Sequence, residues 1–298
     1  MRERLDWGSD GRDWPNRQTS RFIQAAGLVW HVQQFLDAGD DAPLILLLHG
    51  TGSSSHSWRD VAPLLAQHYR VLVPDLPGHA FTAMPSPSSE QSLPGMARRV
   101  EQLLEGLQVA PTLIVGHSAG AAIGARMLLD GRVRAAALVS LNGAFVGFGG
   151  LAGALFSPLA KLLATGTMAA RLFARQAQDE AFVGRLVRGT GSILDETGER
   201  LYARLLQCPA HVRAALAMMA HWDLAALERA LPQLQLPVWL VGAGNDLTVP
   251  ATQVAQVAAL LPQARQVLWP LLGHLAHEEH PAQCVALLRQ VLDVVAPR

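Results

Sequence analysis

Residues 113–125, LIVGHSAGAAIGA, decide how this sequence is interpreted. The apolar run Leu113 to Val115 predicts a short buried strand, and the small residues after Gly120 predict a helix. A tight turn between them would hold Ser118 in a strained conformation at the tip of a sheet, beside a helix N-terminus that favours developing negative charge. The stretch therefore predicts a nucleophilic serine. The alternative is a glycine-rich turn in which Ser118 only caps the helix.

Short apolar runs and longer amphipathic runs alternate on both sides of this stretch. Such alternation is typical of βαβ units with a mostly parallel sheet. The predicted strands are Leu44–Leu48, Val71–Val73, Leu113–Val115, Ala136–Leu141, Val238–Val241 and Arg265–Leu268. The predicted helices are Trp58–Ala66, Met96–Leu107, Ala119–Leu129, Thr252–Leu260 and Pro281–Val295. Upstream, Arg21–Ala25 and Leu28–Phe35 flank Ala26-Gly27, which predicts a hairpin at the sheet edge.

The alternation stops between residues 144 and 231, where only helical patterns occur. These are Leu159–Ala164, Ala169–Ala177, Glu180–Val187, Gly198–Leu206 and Val212–Met219. We therefore expect an α/β fold with an eight-stranded, mostly parallel sheet, helices on both faces and a helical cap insertion. Residues 1–143 and 232–298 would form the core, and residues 144–231 the cap. The cap would lie over the carboxyl edge of the sheet, where open α/β sheets bind ligands.

A nucleophilic serine needs a base and an acid that orients the base. In folds with this kind of turn the acid follows the serine along the chain, and the histidine comes last. Asp246 follows the strand Val238–Val241, and His274 follows the last predicted strand, so all three side chains should emerge at one sheet edge. Taken singly, Asp246 could form an Asx-turn and His274 could be an ordinary loop histidine. Asn142 ends an earlier strand, where some such enzymes carry the acid, but it cannot hold a charge.

Backbone amides are expected to hold the oxyanion that forms during acyl transfer. Ala119, directly after the serine, would supply one amide, and Thr51 in the His49-Gly-Thr-Gly52 loop would supply the other. Trp58 either lines the pocket or packs in the core. The other pocket candidates are His117, Phe145 and Phe148. The last two belong to an apolar run at the opening of the cap, which either forms an exposed patch or faces inward to line an apolar pocket.

These motifs, in this order, resemble the α/β-hydrolase superfamily. HGTGSS from His49, DLPGH from Asp75, GHSAG, GND and GH carry the resemblance, which extends from Leu44 to the C-terminus. More narrowly, the chain is similar to the magnesium-chelatase accessory proteins of bacteriochlorophyll biosynthesis. RDWPNR (residues 12–17), SRF from Ser20, LVWHVQ from Leu28 and HGTGSSSHSWRD through Asp60 suggest that branch. This narrower resemblance implies a role near magnesium insertion into protoporphyrin, with magnesium chelatase or a tetrapyrrole as partner.

Composition excludes several other classes of protein. Lys+Arg and Asp+Glu both number 24, and this zero net charge argues against nucleic acid as a partner. Cys208 and Cys284 lie far apart, which argues against a disulfide framework or a thiolate metal site. The charged N-terminus lacks the apolar segment of a secretory signal, so we expect a cytoplasmic protein. Peripheral contact with the inner membrane through the cap is the alternative that applies if the apolar run is exposed. Residues 135–160 are uncharged but rich in glycine, which disfavours a membrane span.

No cofactor or metal is expected from the motifs. The single lysine, Lys161, lies outside any phosphate-binding loop, and no dinucleotide-binding fingerprint follows the first parallel strand. His274, His277 and His280 are spaced three residues apart, which does not suit three ligands on one helix face. A helix beginning near Glu278, with acids in its first turn, explains the local charges more simply.

Two classes of function remain after these exclusions. The first is a serine hydrolase that acts on a small hydrophobic ester or related acyl substrate, with the triad Ser118, His274 and Asp246. The second is a non-catalytic accessory protein that binds a tetrapyrrole or docks on a membrane. A third reading, haloperoxidase-like activity without a cofactor, uses the same triad.

Overall fold

The computed structural model describes residues 2–147 and 166–295. One eight-stranded sheet forms the centre of the molecule. Its strands are β1 (Ser20–Ala25), β2 (Leu28–Phe35), β3 (Leu44–Leu48), β4 (Arg70–Pro74), β5 (Leu113–His117), β6 (Ala137–Leu141), β7 (Val238–Ala243) and β8 (Ala264–Trp269). Every strand predicted from the sequence is present, with bounds that differ by at most two residues.

The strand order is β1-β2-β4-β3-β5-β6-β7-β8. The first two strands form the predicted hairpin, in which Ala25 pairs with Leu28, and β2 is also antiparallel to β4. All pairings from β4 to β8 are parallel. Because parallel neighbours end at the same edge, the loops that follow β3, β5, β7 and β8 meet there.

Helices cover both faces of the sheet. The helices of the described segments are α1 (Val61–Leu65), α2 (Leu93–Leu107), α3 (Ala119–Asp130), α4 (Thr167–Gln176), α5 (Glu180–Gly189), α6 (Glu196–Leu206), α7 (Pro209–His221), α8 (Ala225–Ala230), α9 (Thr252–Ala258), α10 (Ala276–Glu279) and α11 (Pro281–Val295). The sequence of strand β3 shows why both faces of the sheet are covered. Leu44, Leu46 and Leu48 join the apolar core on one face. Ile45 and Leu47 join the core on the other face. A strand buried on both faces needs such a continuous apolar run.

The helix predicted over Trp58–Ala66 is divided in the structure. A 3-10 turn covers Ser55–Trp58, and α1 begins only at Val61. Pro63 explains the break, because it has no N–H to bond the carbonyl four residues earlier and is tolerated only within the first helical turn. The helix predicted over Leu159–Ala164 lies outside the described residues.

Helices α4 to α8 lie between β6 and β7 in the sequence, and we call them the inserted helices. Their amphipathic patterns predicted four of them. Asp179 and Asp195 mark two of the starts, since each side chain accepts a hydrogen bond from a backbone amide of the first turn, in α5 and α6 respectively. Within the two described segments, no helix is both long enough and apolar enough to cross a lipid bilayer.

Residues 2–19, the N-terminal segment, connect the sheet edge to the inserted helices. Trp14 is buried against Leu201 and Leu205 of α6, and the Arg204 guanidinium lies 2.7 Å from the Asp13 carboxylate. On the other side, the Gln33 side-chain amide donates to the Pro15 carbonyl at 2.6 Å. The N-terminal segment therefore contacts both the sheet, through β2, and the inserted helices, through α6.

Candidate active site

Ser118 occupies the turn between β5 and α3 with φ 51° and ψ −117°. Its amide donates to the Leu141 carbonyl at 3.0 Å, which ties the turn to the neighbouring strand. A Cβ atom on Gly116 would lie 2.3 Å from the Ala121 nitrogen, and one on Gly120 would lie 2.3 Å from the Leu48 carbonyl oxygen. Glycine is therefore required at both positions. The Ser118 side chain makes no capping hydrogen bond to α3, so the capping role is not observed.

Asp246 and His274 lie together at the carboxyl edge of β7 and β8. The distance between Asp246 Oδ2 and His274 Nδ1 is 2.8 Å, and both residues are buried. The other oxygen of Asp246 accepts the backbone amides of Thr248 at 2.7 Å and Val249 at 2.8 Å. The predicted Asx-turn therefore forms, and it coexists with the contact to the imidazole. Oδ2 also accepts the Asn142 side-chain amide at 2.7 Å.

The backbone around His274 is fixed from two directions. Its amide donates to the Thr190 carbonyl at 3.3 Å, and its carbonyl accepts from His117 Nε2 at 2.9 Å. Among the described residues, no hydrogen bond joins the Ser118 hydroxyl to His274. Such bonds are often long or poorly aligned in unliganded enzymes and tighten when substrate binds. Asp246 and His274 are thus in hydrogen-bonding contact, and Ser118 lies in the turn after His117, whose ring neighbours that of His274.

Thr51 and Ala119, the predicted oxyanion residues, flank Ser118. Thr51 belongs to a turn closed by a hydrogen bond from the Ser53 amide to the Gly50 carbonyl, 3.2 Å long. A Cβ on Gly50 would lie 3.0 Å from Ser118 Cβ, so this Gly50–Ser53 turn runs directly beside the serine. Neither the Thr51 amide nor the Ala119 amide donates to another residue of the described segments. Ala119 begins α3, and an amide at that position has no acceptor within the helix.

The pocket candidates lie deeper than the sequence suggested. Trp58 is fully buried in the core, which agrees with the packing role. His117 is buried, and its ring lies between those of His274 and His277, with centroid distances of 4.8 Å and 4.5 Å. Burial holds the pKa of His117 well below the usual value. Phe145 is 1% exposed and packs in the core, whereas Phe148 lies outside the described residues. Val146 is also buried, so this described part of the apolar run faces inward.

No three His, Cys, Asp or Glu side chains in residues 2–147 and 166–295 are arranged to hold a metal ion. The imidazole of His277 is fully buried and lies between Trp58 and His117. Burial lowers the pKa of His277 to about 3, which favours the neutral ring.

Sequence reasoning missed a buried charged network next to this site. Glu278 lies in the first turn of α10, as the sequence predicts. Its side chain is also fully buried, and it accepts from Arg59 Nη1 and from the Tyr202 hydroxyl, both at 2.7 Å. Burial raises the pKa of Glu278 to about 7, although both contacts act to lower it. Arg59 also contacts Asp195, at the start of α6. No local pattern signals these contacts, because they join distant parts of the chain.

The fold described above agrees with the result of comparison with known proteins. The chain belongs to the alpha/beta hydrolase fold family, whose model matches residues 43–281. Over 269 residues it is 38% identical to the magnesium-chelatase 30 kDa subunit of Rhodobacter capsulatus, an alignment that covers 89% of this chain and 92% of that protein.

More distant relatives include enzymes. A 2-hydroxy-6-oxo-6-phenylhexa-2,4-dienoate hydrolase of Burkholderia cepacia is 26% identical over 295 residues, which cover 93% of this chain and 96% of that enzyme. The solved structure of an enol-lactonase from Burkholderia xenovorans LB400 superposes with a TM-score of 0.74 at 18% identity, covering 92% of this chain and 100% of that one. That likeness supports the fold.

Proposed function

We propose that this protein is a serine hydrolase that cleaves an ester or related acyl bond in a small hydrophobic substrate. The observation that carries the proposal is the 2.8 Å contact between Asp246 Oδ2 and His274 Nδ1, beside a serine held at φ 51°. Left-handed backbone at a non-glycine residue costs free energy and persists where the surrounding structure demands it, often at functional sites.

In this proposal His274 Nε2 accepts the Ser118 proton as Ser118 Oγ attacks the acyl carbon. The resulting oxyanion binds the Thr51 and Ala119 amides. The imidazolium then protonates the leaving alcohol, which departs and leaves an acyl ester on Ser118. Water, deprotonated by His274, attacks that ester, and the acid product and free serine are released.

Asp246 would orient His274 and stabilise the imidazolium. Four donors surround its two oxygens: the Nδ1 nitrogen of the imidazole, the Asn142 amide and two backbone amides. Only an ionised carboxylate accepts at all four positions. This set of contacts suits a buried charge whose position must not change during turnover.

The test of the chemistry is Ser118→Ala, assayed on a p-nitrophenyl acyl ester. We expect turnover to fall by several orders of magnitude, because the nucleophile is lost. Ser89→Ala is the matched control, since Ser89 is exposed and lies outside the site. A fluorophosphonate probe, followed by mass mapping, should label Ser118 in the wild type. Ester hydrolysis by Ser118→Ala at the wild-type rate, or labelling at another residue, would refute the assignment.

We further propose that residues 144–231 form a cap over this site, and that the protein assists magnesium insertion into protoporphyrin. The support for the role is the 38% identity to the magnesium-chelatase 30 kDa subunit. A chelatase component or a tetrapyrrole is then the expected partner.

Complementation of a strain that lacks the corresponding gene tests whether the accessory role needs chemistry. We expect folded Ser118→Ala to fail to restore pigment synthesis while Ser89→Ala succeeds. Rescue by Ser118→Ala would instead support an accessory protein that only binds its partner or a tetrapyrrole.

A further inference from the structure

One face of helix α7 contacts the turn that carries Thr51. His211, Ala215 and Met218 are spaced four and three residues apart, which places them on the same side of the helix. His211 Nε2 donates to the Gly52 carbonyl at 3.0 Å. The Thr51 hydroxyl lies 3.5 Å from the Met218 sulfur, and a Cβ on Gly52 would lie 3.9 Å from Ala215 Cβ.

His211 is fully buried, and both of its ring nitrogens have partners. Nδ1 accepts the Ala80 amide at 3.0 Å, while Nε2 donates to Gly52. Only a neutral ring can accept at one nitrogen and donate at the other. Burial lowers the pKa of His211 to about 4, so the ring keeps this form at neutral pH.

The backbone conformation of Ala80 is a further reason to regard the contact with His211 as structurally important. Ala80 adopts φ 42°, a left-handed conformation that favours glycine. An alanine keeps such a backbone where neighbouring contacts hold it. His211 supplies one such contact, so a single imidazole joins α7, the loop after β4 and the loop after β3.

The Gly50–Ser53 turn is held from two sides. Inside the core, His49 Nδ1 donates to the Gly50 carbonyl at 2.8 Å. From the inserted helices, His211 bonds Gly52, which itself has φ 74°. The Thr51 amide lies between these two anchoring points, so its direction depends on both.

We propose that His211 is a positioning residue that fixes the Gly50–Ser53 turn so that the Thr51 amide can bind the oxyanion. Helix α7 thereby forms part of the catalytic apparatus in addition to covering it. This inference rests on the proposed hydrolase function. Loss of the contact should weaken transition-state binding more than substrate binding, because the oxyanion exists only in the transition state and intermediate.

The experiment compares His211→Phe with His221→Phe on a p-nitrophenyl ester. His221 ends the same helix, and among the described residues its ring bonds only the Ala217 carbonyl of that helix, so it is a matched control. We expect His211→Phe to lower kcat about 10- to 100-fold with KM nearly unchanged. Removing an oxyanion donor lowers kcat by about 100- to 1,000-fold, and a donor that only points in the wrong direction should have a smaller effect. His211→Gln, whose amide can both donate and accept, should recover part of kcat. His221→Phe should leave both constants near the wild-type values.

Hydrogen exchange of the backbone amides in residues 49–54 provides a readout that needs no activity. We expect faster exchange in His211→Phe and wild-type exchange in His221→Phe. Unchanged exchange in a folded His211→Phe protein would overturn the proposal, as would faster exchange with unchanged kcat, or a fall in kcat matched by a rise in KM. If wild-type protein fails to hydrolyse esters and Ser118 resists the probe, the proposed function falls. In that case the exchange data still decide whether His211 holds the turn, and the catalytic role assigned to it is overturned.

Discussion

The Asn142 side-chain amide donates a 2.7 Å hydrogen bond to Asp246 Oδ2, the same oxygen that contacts His274. Asn142 follows β6 and Asp246 follows β7, so the ends of two adjacent parallel strands place their side chains together. The sequence had marked both positions as places for the acid and had assigned the charge to Asp246. In the proposed site the two positions would therefore have different roles, with Asp246 carrying the charge and Asn142 donating a hydrogen bond to it.

Replacing Asn142 with a second acid tests whether the site needs a hydrogen-bond donor beside Asp246. We expect Asn142→Asp to lower kcat/KM for ester hydrolysis about tenfold or more at neutral pH. Two carboxylates this close cannot both ionise easily, so the pKa of one of them rises and the orientation of His274 is disturbed. Asn142→Leu removes the hydrogen bond without adding a charge and should cause a smaller loss. Equal activity of Asn142→Asp and wild type would contradict the proposed role of Asp246.

The close approach of α3 to β3 makes a prediction about stability. Gly120→Ala would place a methyl group 2.3 Å from the Leu48 carbonyl oxygen, so backbone atoms must move. We expect the free energy of unfolding to fall by about 3 kcal/mol or more, measured by urea denaturation.

Gly106 in α2 offers the control for that substitution. A Cβ atom added to Gly106 would lie 3.4 Å from Ala25 Cβ, an ordinary contact distance. Gly106→Ala should stabilise the protein by about 0.5–1 kcal/mol, because alanine loses less conformational entropy in a helix. Similar effects of the two substitutions would show that the crowding at Gly120 is not decisive.

Buried histidines make a prediction about acid stability. Burial lowers the pKa of His211 to about 4 and of His277 to about 3, whereas an unfolded histidine titrates near 6.5. Between roughly pH 4 and 6.5 the unfolded chain therefore binds more protons than the folded protein, and stability falls as pH decreases. Glu278 acts in the opposite direction between its unfolded value and about 7, because its folded pKa is raised. Burial also raises the pKa of Glu101, which acts in the same direction as Glu278. Because burial lowers the pKa of more histidines than there are carboxyl groups with a raised pKa, we expect a net loss of stability on acidification.

His277→Phe isolates one contribution to this effect. Neither ring nitrogen of His277 has a hydrogen-bond partner among the described residues, so a phenyl ring should replace the imidazole without loss of such contacts. The urea midpoint should decline less between pH 7 and pH 5 in His277→Phe than in wild type. An identical decline in both proteins would show that His277 does not contribute.

Local sequence patterns predict the sheet and the proximity of Asp246 to His274, because both depend on short-range signals. Continuous apolar runs specify strands buried on two faces, and parallel strands bring their following loops to one edge. Asp246 and His274 could thus be matched from their places after β7 and β8. The start of α1 at Val61 is also predictable in principle, because Pro63 restricts where a helix begins.

Contacts that depend on tertiary packing could not be predicted in this way. His211, Arg59 and Glu278 each look like ordinary polar residues on amphipathic or loop segments. Their partners lie far away in sequence, and only the folded chain brings the inserted helices against the loops after β3 and β4. The same limit applied to Trp58, for which pattern alone left pocket lining and core packing equally open.

The N-terminal segment has a practical consequence for anyone who handles this protein. The Ala210 amide donates to the Glu3 carbonyl at 3.0 Å, and the Asn16 side chain donates to the Arg59 carbonyl at 3.0 Å. The first few residues therefore contact α7, the helix whose His211 bonds the Gly50–Ser53 turn. Extra residues placed beside Glu3, such as an affinity tag, would crowd the contact between this segment and α7 and so disturb the helix that bonds the Gly50–Ser53 turn.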